Sequence, residues 1–595
     1  MHQDAAQPAD RYKWTALSNT TLGIFMAALD SSIVLISLPA IFRGIHLDPL
    51  QPSNIGYLLW MLMGYLVVTA VLVVTFGRLG DIYGRVRMYN AGFLIFSVAS
   101  LALSLCPWTG GGGAMWLIVF RIVQGVGGAL LMANSTAILT DAFPVAERGM
   151  AMGINVVAGI SGSFVGLIVG GLLADVDWRA VFWINVPIGL FGTVWAYLKL
   201  REVGTTTEAK VDWWGNLTFG VGLVMILIGL TYGLMPHGGG DMGWTGPWVL
   251  FELIGGAAVL LVFCYIETRV AQPMFHLKLF RIRAFAMGNA ASLLSSIGRG
   301  GLQFMLIIWL QGIWLPLHGY NFVDTPLWAG IYMLPLTAGF LVSGPASGWL
   351  SDRYGARPFA TGGMFLAAAS FGLLMLLPTD FTFWVFALLL LLNGTGMGLF
   401  AAPNTTGIMN SVPANQRGAA SGMRATFQNT GMVLSIGVFF SLMIVGMAAS
   451  LPGAIRAGFE AHNVPAVPTA VISGEPPVGS LFAAFLGYNP VESMLEQVPA
   501  TKPVAGQAAP PTAYEWMHQH HPKDLAVLTG KKFFPKLIGK PFLNGLRIAF
   551  TASLIMCLIA AWASWMRGAK YVHSEDEEST GEALAESLPD EWVPA

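Results

Sequence analysis

Apolar stretches about as long as a bilayer is thick recur throughout this chain, and membrane-crossing helices are the structure that satisfies their backbone groups in lipid. Windows of about 20 residues fall at roughly 15–42, 54–76, 88–106, 114–140, 149–174, 179–200, 213–235 and 247–267. Six more fall at roughly 285–315, 326–350, 358–378, 382–408, 417–447 and 545–566. The expected fold is therefore an all-α polytopic membrane protein with fourteen transmembrane helices. Composition agrees: 11% of the residues are charged, against roughly 25% in soluble domains. A net charge of -1 supplies no basic face for nucleic acid. Cys106, Cys264 and Cys557 form neither a metal spacing nor a disulfide framework. The polar start, Met1 to Lys13, leads into an apolar segment too long for a cleavable signal.

Arg78, Arg85, Arg87, Arg148, Lys199, Arg201, Lys278, Arg281, Arg283, Arg353 and Arg357 fall in alternate short loops, and only Arg43 and Arg179 in the others. The positive-inside rule then puts both termini in the cytoplasm of a multi-pass inner-membrane protein. The segment Gly77-Arg-Leu-Gly-Asp81-Ile-Tyr-Gly84 recurs as Gly348-Trp-Leu-Ser-Asp352-Arg-Tyr-Gly355, 348 minus 77 or 271 residues later. A second echo argues against chance. Gln124, Gly125 and Gly127 match Asn393, Gly394 and Gly396, and Pro144, Arg148, Gly149 and Gly153 match Pro413, Arg417, Gly418 and Gly422, all shifted by 269, as 393 minus 124. An even number of spans separates the copies, so the duplication is parallel, one of the plans of secondary transporters with a midplane site. The expected organisation is a cytoplasmic segment (1–14), a six-helix half (15–200) and a linker with two extra helices (201–284). Five helices of the second half (285–447), a long outer loop (448–543), the last helix (544–567) and an acidic tail (568–595) complete it.

Gly77 to Arg87, with its weaker copy at 348–357, resembles the loop signature of the major facilitator superfamily, and Arg121-x-x-Gln124-Gly125 resembles its helix-4 signature. Leu29-Asp30 to Pro39 and Trp178 to Gly189 are similar to segments of its fourteen-helix drug:proton antiporter branch. Gly162 to Gly171 resembles the antiporter segment of helix 5, with Leu167 where the family has Pro. The resemblance implies two six-helix halves plus two linker helices, and proton-coupled export of amphiphilic compounds by alternating access. Export of one endogenous lipid or metabolite is the alternative, and a non-transporting sensor a poorer one. No cofactor is implied, since the proton gradient supplies the energy. Nor is an enzyme: no nucleophile set, metal cluster or phosphate loop is present.

Asp30 lies mid-span, where an aspartate costs about 2.5 to 3.5 kcal/mol on the insertion scale. Either it exchanges a proton in a cavity or it ties helices together as a hydrogen-bonded acid. The resemblance places Arg121 beside it; snorkelling to the headgroups is the rival reading. Arg299 and Gln303 share a face of one span, as do Arg424 and Gln428 of another. Three intramembrane arginines against one central acid favour neutral, zwitterionic or anionic amphiphiles as substrates. The rival for Arg299 is a structural role, paired with backbone carbonyls or as a counter-charge to Asp30. Gly77, Asp81, Gly84, Arg85, Gly348, Asp352, Arg353 and Gly355 form an expected cytoplasmic gate. Gly162, Gly166, Gly170 and Gly171 suit close helix packing. His518, His520 and His521 lack acid or cysteine partners, and no metal site is expected there. In the long loop, Val478 to Val498 is expected as a packed or interfacial helix and Pro503 to Pro522 as linker.

Overall fold

The computed structural model describes residues 7–47, 54–144, 147–203, 212–238, 240, 242–270, 273, 275–413, 416–487, 489–502 and 510–568. Helices dominate, and among the described residues there is no β-strand beyond two isolated bridges. The first half contains α1 (Gln7–Gly44), α2 (Ile55–Tyr83), α3 (Arg85–Ser104), α4 (Gly110–Ala142), α5 (Arg148–Val176) and α6 (Ala180–Lys199, with a break at Ile184). The linker supplies α7 (Trp213–Gly233) and α8 (Pro247–Glu267). The second half begins with α9 (Arg283–Leu317), α10 (Thr325–Ser351), α11 (Ala356–Leu374), α12 (Phe383–Asn410) and α13 (Arg417–Ala448). Six short helices follow: α14 (Leu451–Glu460), α15 (Ala466–Ser473), α16 (Pro477–Leu486), α17 (Val491–Gln497), α18 (Ala513–His520) and α19 (Pro522–Leu528). The last helix, α20 (Phe533–Met566), completes the second half by packing on α9, α11 and α13.

Thirteen of these helices are long and apolar enough to cross a bilayer. The window expected at 358–378 is α11, nineteen residues rich in Ala and Gly, which packs between α12 and α20. Pairing within each half repeats: α2 lies on α4 and α3 on α4, just as α10 lies on α12 and α11 on α12. The halves meet along two seams, α2 with α13 and α5 with α10. The echoed sequences make α10 the copy of α2 and α13 the copy of α5, so each seam is the image of the other. α7 docks where α2 and α13 meet, and α8 packs on α7. Both ends of the described chain lie at one end of the bundle. There Tyr12 hydroxyl donates to the Arg201 carbonyl at 2.6 Å, and Arg283 Nη2 lies 3.4 Å from the Met566 sulfur.

The segment expected as a loop over 448–543 is a folded cap. Inside Val478 to Val498 there are two helices, and α16 is buried along its whole length, with Phe482 against Phe440 of α13 and Phe485 against Phe304 of α9. α9 widens to a π-turn over Leu310–Trp314, a local loosening common at special sites. There the backbone of Ala484 comes so close to Gly312 that any Cβ at Gly312 would overlap it. α15 and α16 meet at 85°; α15 packs on α14, and α16 on α9, α13 and α20. The expected linker contains α18, opened by a capping box in which Thr512 and Glu515 satisfy each other's backbone N–H; residues 503–509 lie outside the described residues. The last helix starts at Phe533, eleven residues before the expected 544. The acidic tail lies outside the described residues from 569 onward.

Candidate functional site

Asp30 is fully buried in α1, and three side chains from two helices aim donors at it. Arg121 Nη1 of α4 donates to Oδ2, while Gln124 Nε2 (2.9 Å) and Asn185 Nδ2 of α6 (2.7 Å) donate to Oδ1. Gln124 Oε1 accepts from Arg121 at 2.6 Å, and Gln124 Nε2 also donates to Ser100 Oγ of α3 at 2.8 Å. The Arg121 guanidinium lies 4.7 Å from the ring centre of Tyr65 on α2. Five helices of one half thus close on a single ion pair. An isolated charge buried this way would cost several kcal/mol, and only close pairing with further hydrogen bonds offsets it. Arg121 is 2% exposed, which rules out the snorkelling arrangement. Two buried atoms at the site, Arg121 Nε and Asn185 Oδ1, have no hydrogen-bond partner among the described residues. The pairing of Asp30 with Arg121 is the one expected from the sequence, whereas Asn185, Ser100 and Tyr65 are additions. An asparagine inside an apolar span was a signal for the first, whereas Ser100 and Tyr65 gave none.

The second half keeps part of this network without its charges. Asn393 Nδ2 donates to Ser370 Oγ at 2.6 Å, repeating Gln124 and Ser100 at shifts of 269 (393 minus 124) and 270 (370 minus 100). Leu390 stands where the shift of 269 carries Arg121. The duplicated scaffold therefore keeps the polar pair in both halves and, among the described residues, the ion pair only in the first, with Arg299 standing where the shift of 269 carries Asp30.

Arg299 is half-buried on α9, and its Nη2 lies 3.7 Å from the Met432 sulfur of α13. It makes no ion pair among the described residues, so it is not the counter-charge of Asp30 here. Gln303 is half-buried on the next turn. Arg424 Nη1 donates to Gln428 Oε1 at 2.9 Å, and its Nε is buried without a partner among the described residues. Arg424, Gln428 and Met432 follow at four-residue steps and so share a face of α13. Through Met432 that face meets Arg299, bringing both arginines onto one seam between α9 and α13.

At the end of the bundle that carries both chain ends, Arg85 donates from Nε and Nη2 to Asp81 Oδ1 (2.9 and 2.7 Å) and from Nη1 to both Asp141 oxygens at 2.6 Å. The Glu202 carboxylate caps α3 by accepting from the backbone N–H of Arg85 and Val86 at 2.7 and 3.0 Å. These bridges join helices within the first half. In the copy, Arg353 lies 4.4 Å over the Trp349 ring, and the side chain of Asp352 lies outside the described residues. Gly84 (φ 101°) and Gly355 (φ 85°) take turns that other residues rarely adopt. Gly77 faces Ala133 and Gly348 faces Ala402, the same contact one repeat apart. Burial first, then the charges of Arg78 and Lys278, hold His276 below its ordinary pKa, so its imidazole is neutral at pH 7.

Gly162, Gly166 and Gly170 of α5 lie against α1, facing the Phe25 carbonyl, the Leu29 carbonyl and Ile36 respectively. Gly171, on another face, meets the Leu327 backbone of α10, and Leu167 packs beside Gly330. One helix therefore touches both the segment that bears Asp30 and the opposite half. In the cap, His518 and His520 stack on Tyr514 and Trp516, and His521 lies 3.5 Å from Asp524. They do not form a metal cluster among the described residues.

Comparison with known proteins adds an independent finding. The sequence model described as Major Facilitator Superfamily matches residues 20–436. The tetracenomycin C resistance and export protein of Streptomyces glaucescens is 31% identical over 436 residues, covering 72% of this chain and 76% of that protein. Multidrug resistance protein Stp of Mycobacterium tuberculosis is 28% identical over 591 residues, covering 98% and 96%. Methyl viologen resistance protein SmvA of Salmonella typhimurium is 29% identical over 460 residues, covering 76% and 86%.

Proposed function

The chain belongs to the Major Facilitator Superfamily and is a membrane transporter rather than an enzyme; from that premise we propose that it exports small amphiphilic compounds in exchange for protons. The observation that carries this reading is the Asp30 centre. A carboxylate held by Arg121, Gln124 and Asn185 in a water-poor interior is stable while charged and paired. Taking up a proton cancels the attraction to Arg121, and separating the pair raises the carboxylate's affinity for a proton. Coupling needs a part that feels both this pair and the opposite half. α5 fits that need: Gly166 rests on the backbone of Leu29, next to Asp30, and Gly171 rests on α10. Rocking at the α5–α10 seam would then shift α1 against α4 and change the proton affinity of Asp30.

The substrate would contact the α9–α13 seam, where Arg299 and Arg424 place positive charge with no carboxylate in contact among the described residues. Neutral, zwitterionic or anionic head groups suit that charge, with the apolar tail on neighbouring methionine and phenylalanine side chains. Relatives named for drug resistance and export support the direction outward. The concentration of Arg78, Arg85, Arg283 and Arg353 at the end that carries both termini supports a cytoplasmic position for that end, with the cap outside. Export can be tested in inverted membrane vesicles acidified by respiration and loaded with a pH-sensitive dye. Adding an anionic or zwitterionic amphiphile should release protons from vesicles containing the protein; no release with any amphiphile would refute proton-coupled export.

A further inference from the structure

Away from the Asp30 centre the structure has a cavity of about 1000 Å³ between the cap and the start of α20. Its walls include Leu317, Ala454, Gly458, Phe533 and Leu537, and its rim carries Lys532, Lys536 and Lys540. That volume is at the top of the range of about 300 to 1,000 Å³ usual for pockets that take organic ligands. No Asp or Glu lines it among the described residues. The three lysines recur at four-residue steps, so their ammonium groups stand one above another on a single face. All three are exposed and make no ion pair among the described residues. Lys531 differs, because its Nζ is already committed to the Gly319 carbonyl (3.0 Å) and Asn321 Oδ1 (3.2 Å).

The position of the cavity relative to the bilayer narrows the ligand. At 1.5 Å per residue the 34 residues of α20 run about 51 Å, well beyond a hydrocarbon core of about 30 Å. That excess would put the first turns of α20 at headgroup level, with the lysines within reach of the phosphates of that leaflet and the apolar walls open to one of its chains. A soluble anion would use the lysines and leave the apolar walls wet. A zwitterionic lipid would fill the walls and give three like charges no net partner. We propose that this cavity binds an anionic glycerophospholipid of the leaflet at the cap end, with one acyl chain against Ala454, Phe533 and Leu537 and its phosphate on Lys532, Lys536 and Lys540. The bound lipid would join α14 to α20 and hold the cap on the second half. This site is separate from the Asp30 centre and does not rest on the proposed export.

The test uses the purified full-length protein in a neutral detergent, titrated in parallel with phosphatidylglycerol, phosphatidylcholine and inorganic phosphate while thermal unfolding is followed. Phosphatidylglycerol should raise the unfolding midpoint, and the other two should leave it unchanged. Each lysine near an anionic headgroup is worth roughly a factor of five in affinity, so the triple substitution Lys532→Gln, Lys536→Gln, Lys540→Gln should weaken the effect about 100-fold. The corresponding triple arginine variant should keep it. Ala454→Phe, which fills the cavity and spares the lysines, should lose it. Equal stabilisation by phosphatidylcholine would overturn the proposal, as would full stabilisation by phosphate alone or an undiminished phosphatidylglycerol effect in the glutamine variant.

Discussion

Adding one methyl group to α5 at Gly166 should disturb the protein far more than the same change at Gly153 of the same helix. A Cβ built at Gly166 stands 2.4 Å from the Leu29 carbonyl oxygen and 3.1 Å from both Leu29 Cα and Ser32 Cβ. Ordinary contact needs about 3.5 Å, so α1 and α5 must part by about 1 Å. Overpacking of this kind costs about 1 to 3 kcal/mol, offset in part by the preference of helices for Ala over Gly, up to about 1 kcal/mol. At Gly153 nothing lies within 4 Å, and only the helix preference remains. The helix preference is common to both, so the two variants should differ by about 1 to 3 kcal/mol, with Gly166→Ala unfolding at lower temperature than the parent and Gly153→Ala at the same temperature or higher. Because the displaced residue is next to Asp30, Gly166→Ala should also slow proton-driven transport, by as much as about 100-fold for a 1 Å misplacement. The assay is thermal unfolding of the purified variants together with gradient-driven flux in proteoliposomes. Equal stability and equal flux of the two variants would refute the argument that α5 sets the position of α1.

Three further outcomes follow from the same geometry. Gly171→Ala places a Cβ 2.6 Å from Leu327 Cα across the α5–α10 seam, so it should disfavour the conformation with this seam closed; distance measurements between spin labels on α5 and α10 should show the open form enriched. Asp81→Asn removes the charge bridged by Arg85, which keeps Asp141; it should slow switching several-fold with little change in substrate affinity, and a parallel loss of affinity with normal switching would contradict the gate. Arg299→Gln should reduce transport of an anionic amphiphile at least tenfold more than that of a cationic dye, because a charge in a low-dielectric cavity is poorly screened; an unchanged ratio in the same proteoliposomes would remove Arg299 from the substrate site.

Much of the scaffold is legible in the chain because lipid imposes simple rules. Apolar length marks the spans, and the echoed Gly77–Gly84 and Gly348–Gly355 segments reveal the duplication. Asp30 stands out because a mid-span acid demands a partner, and the helix-4 signature supplies Arg121. Other features depend on tertiary proximity. Ser100 resembles any small helix residue until Gln124 reaches it, and the neutral copy formed by Asn393 and Ser370 contains no charge to attract notice. The cap was the least legible part. Its helices are seven to ten residues long, too short to show a clear period. In the sequence α16 reads as a packed or interfacial helix, since Leu481, Phe482, Phe485 and Leu486 do not reveal which of the two holds or that the π-turn of α9 and α13 will bury them.

The most direct test of proton coupling through Asp30 is transport by Asp30→Asn in proteoliposomes, measured both with an imposed pH gradient and as substrate exchange without one. An amide can keep the hydrogen bonds of the site but cannot release and regain a proton. The variant should insert and fold, its gradient-driven flux should fall to that of protein-free liposomes, and exchange should continue because neither arginine of the α9–α13 seam is altered. Gradient-driven transport at the rate of the parent would contradict the assignment of Asp30 as the proton carrier.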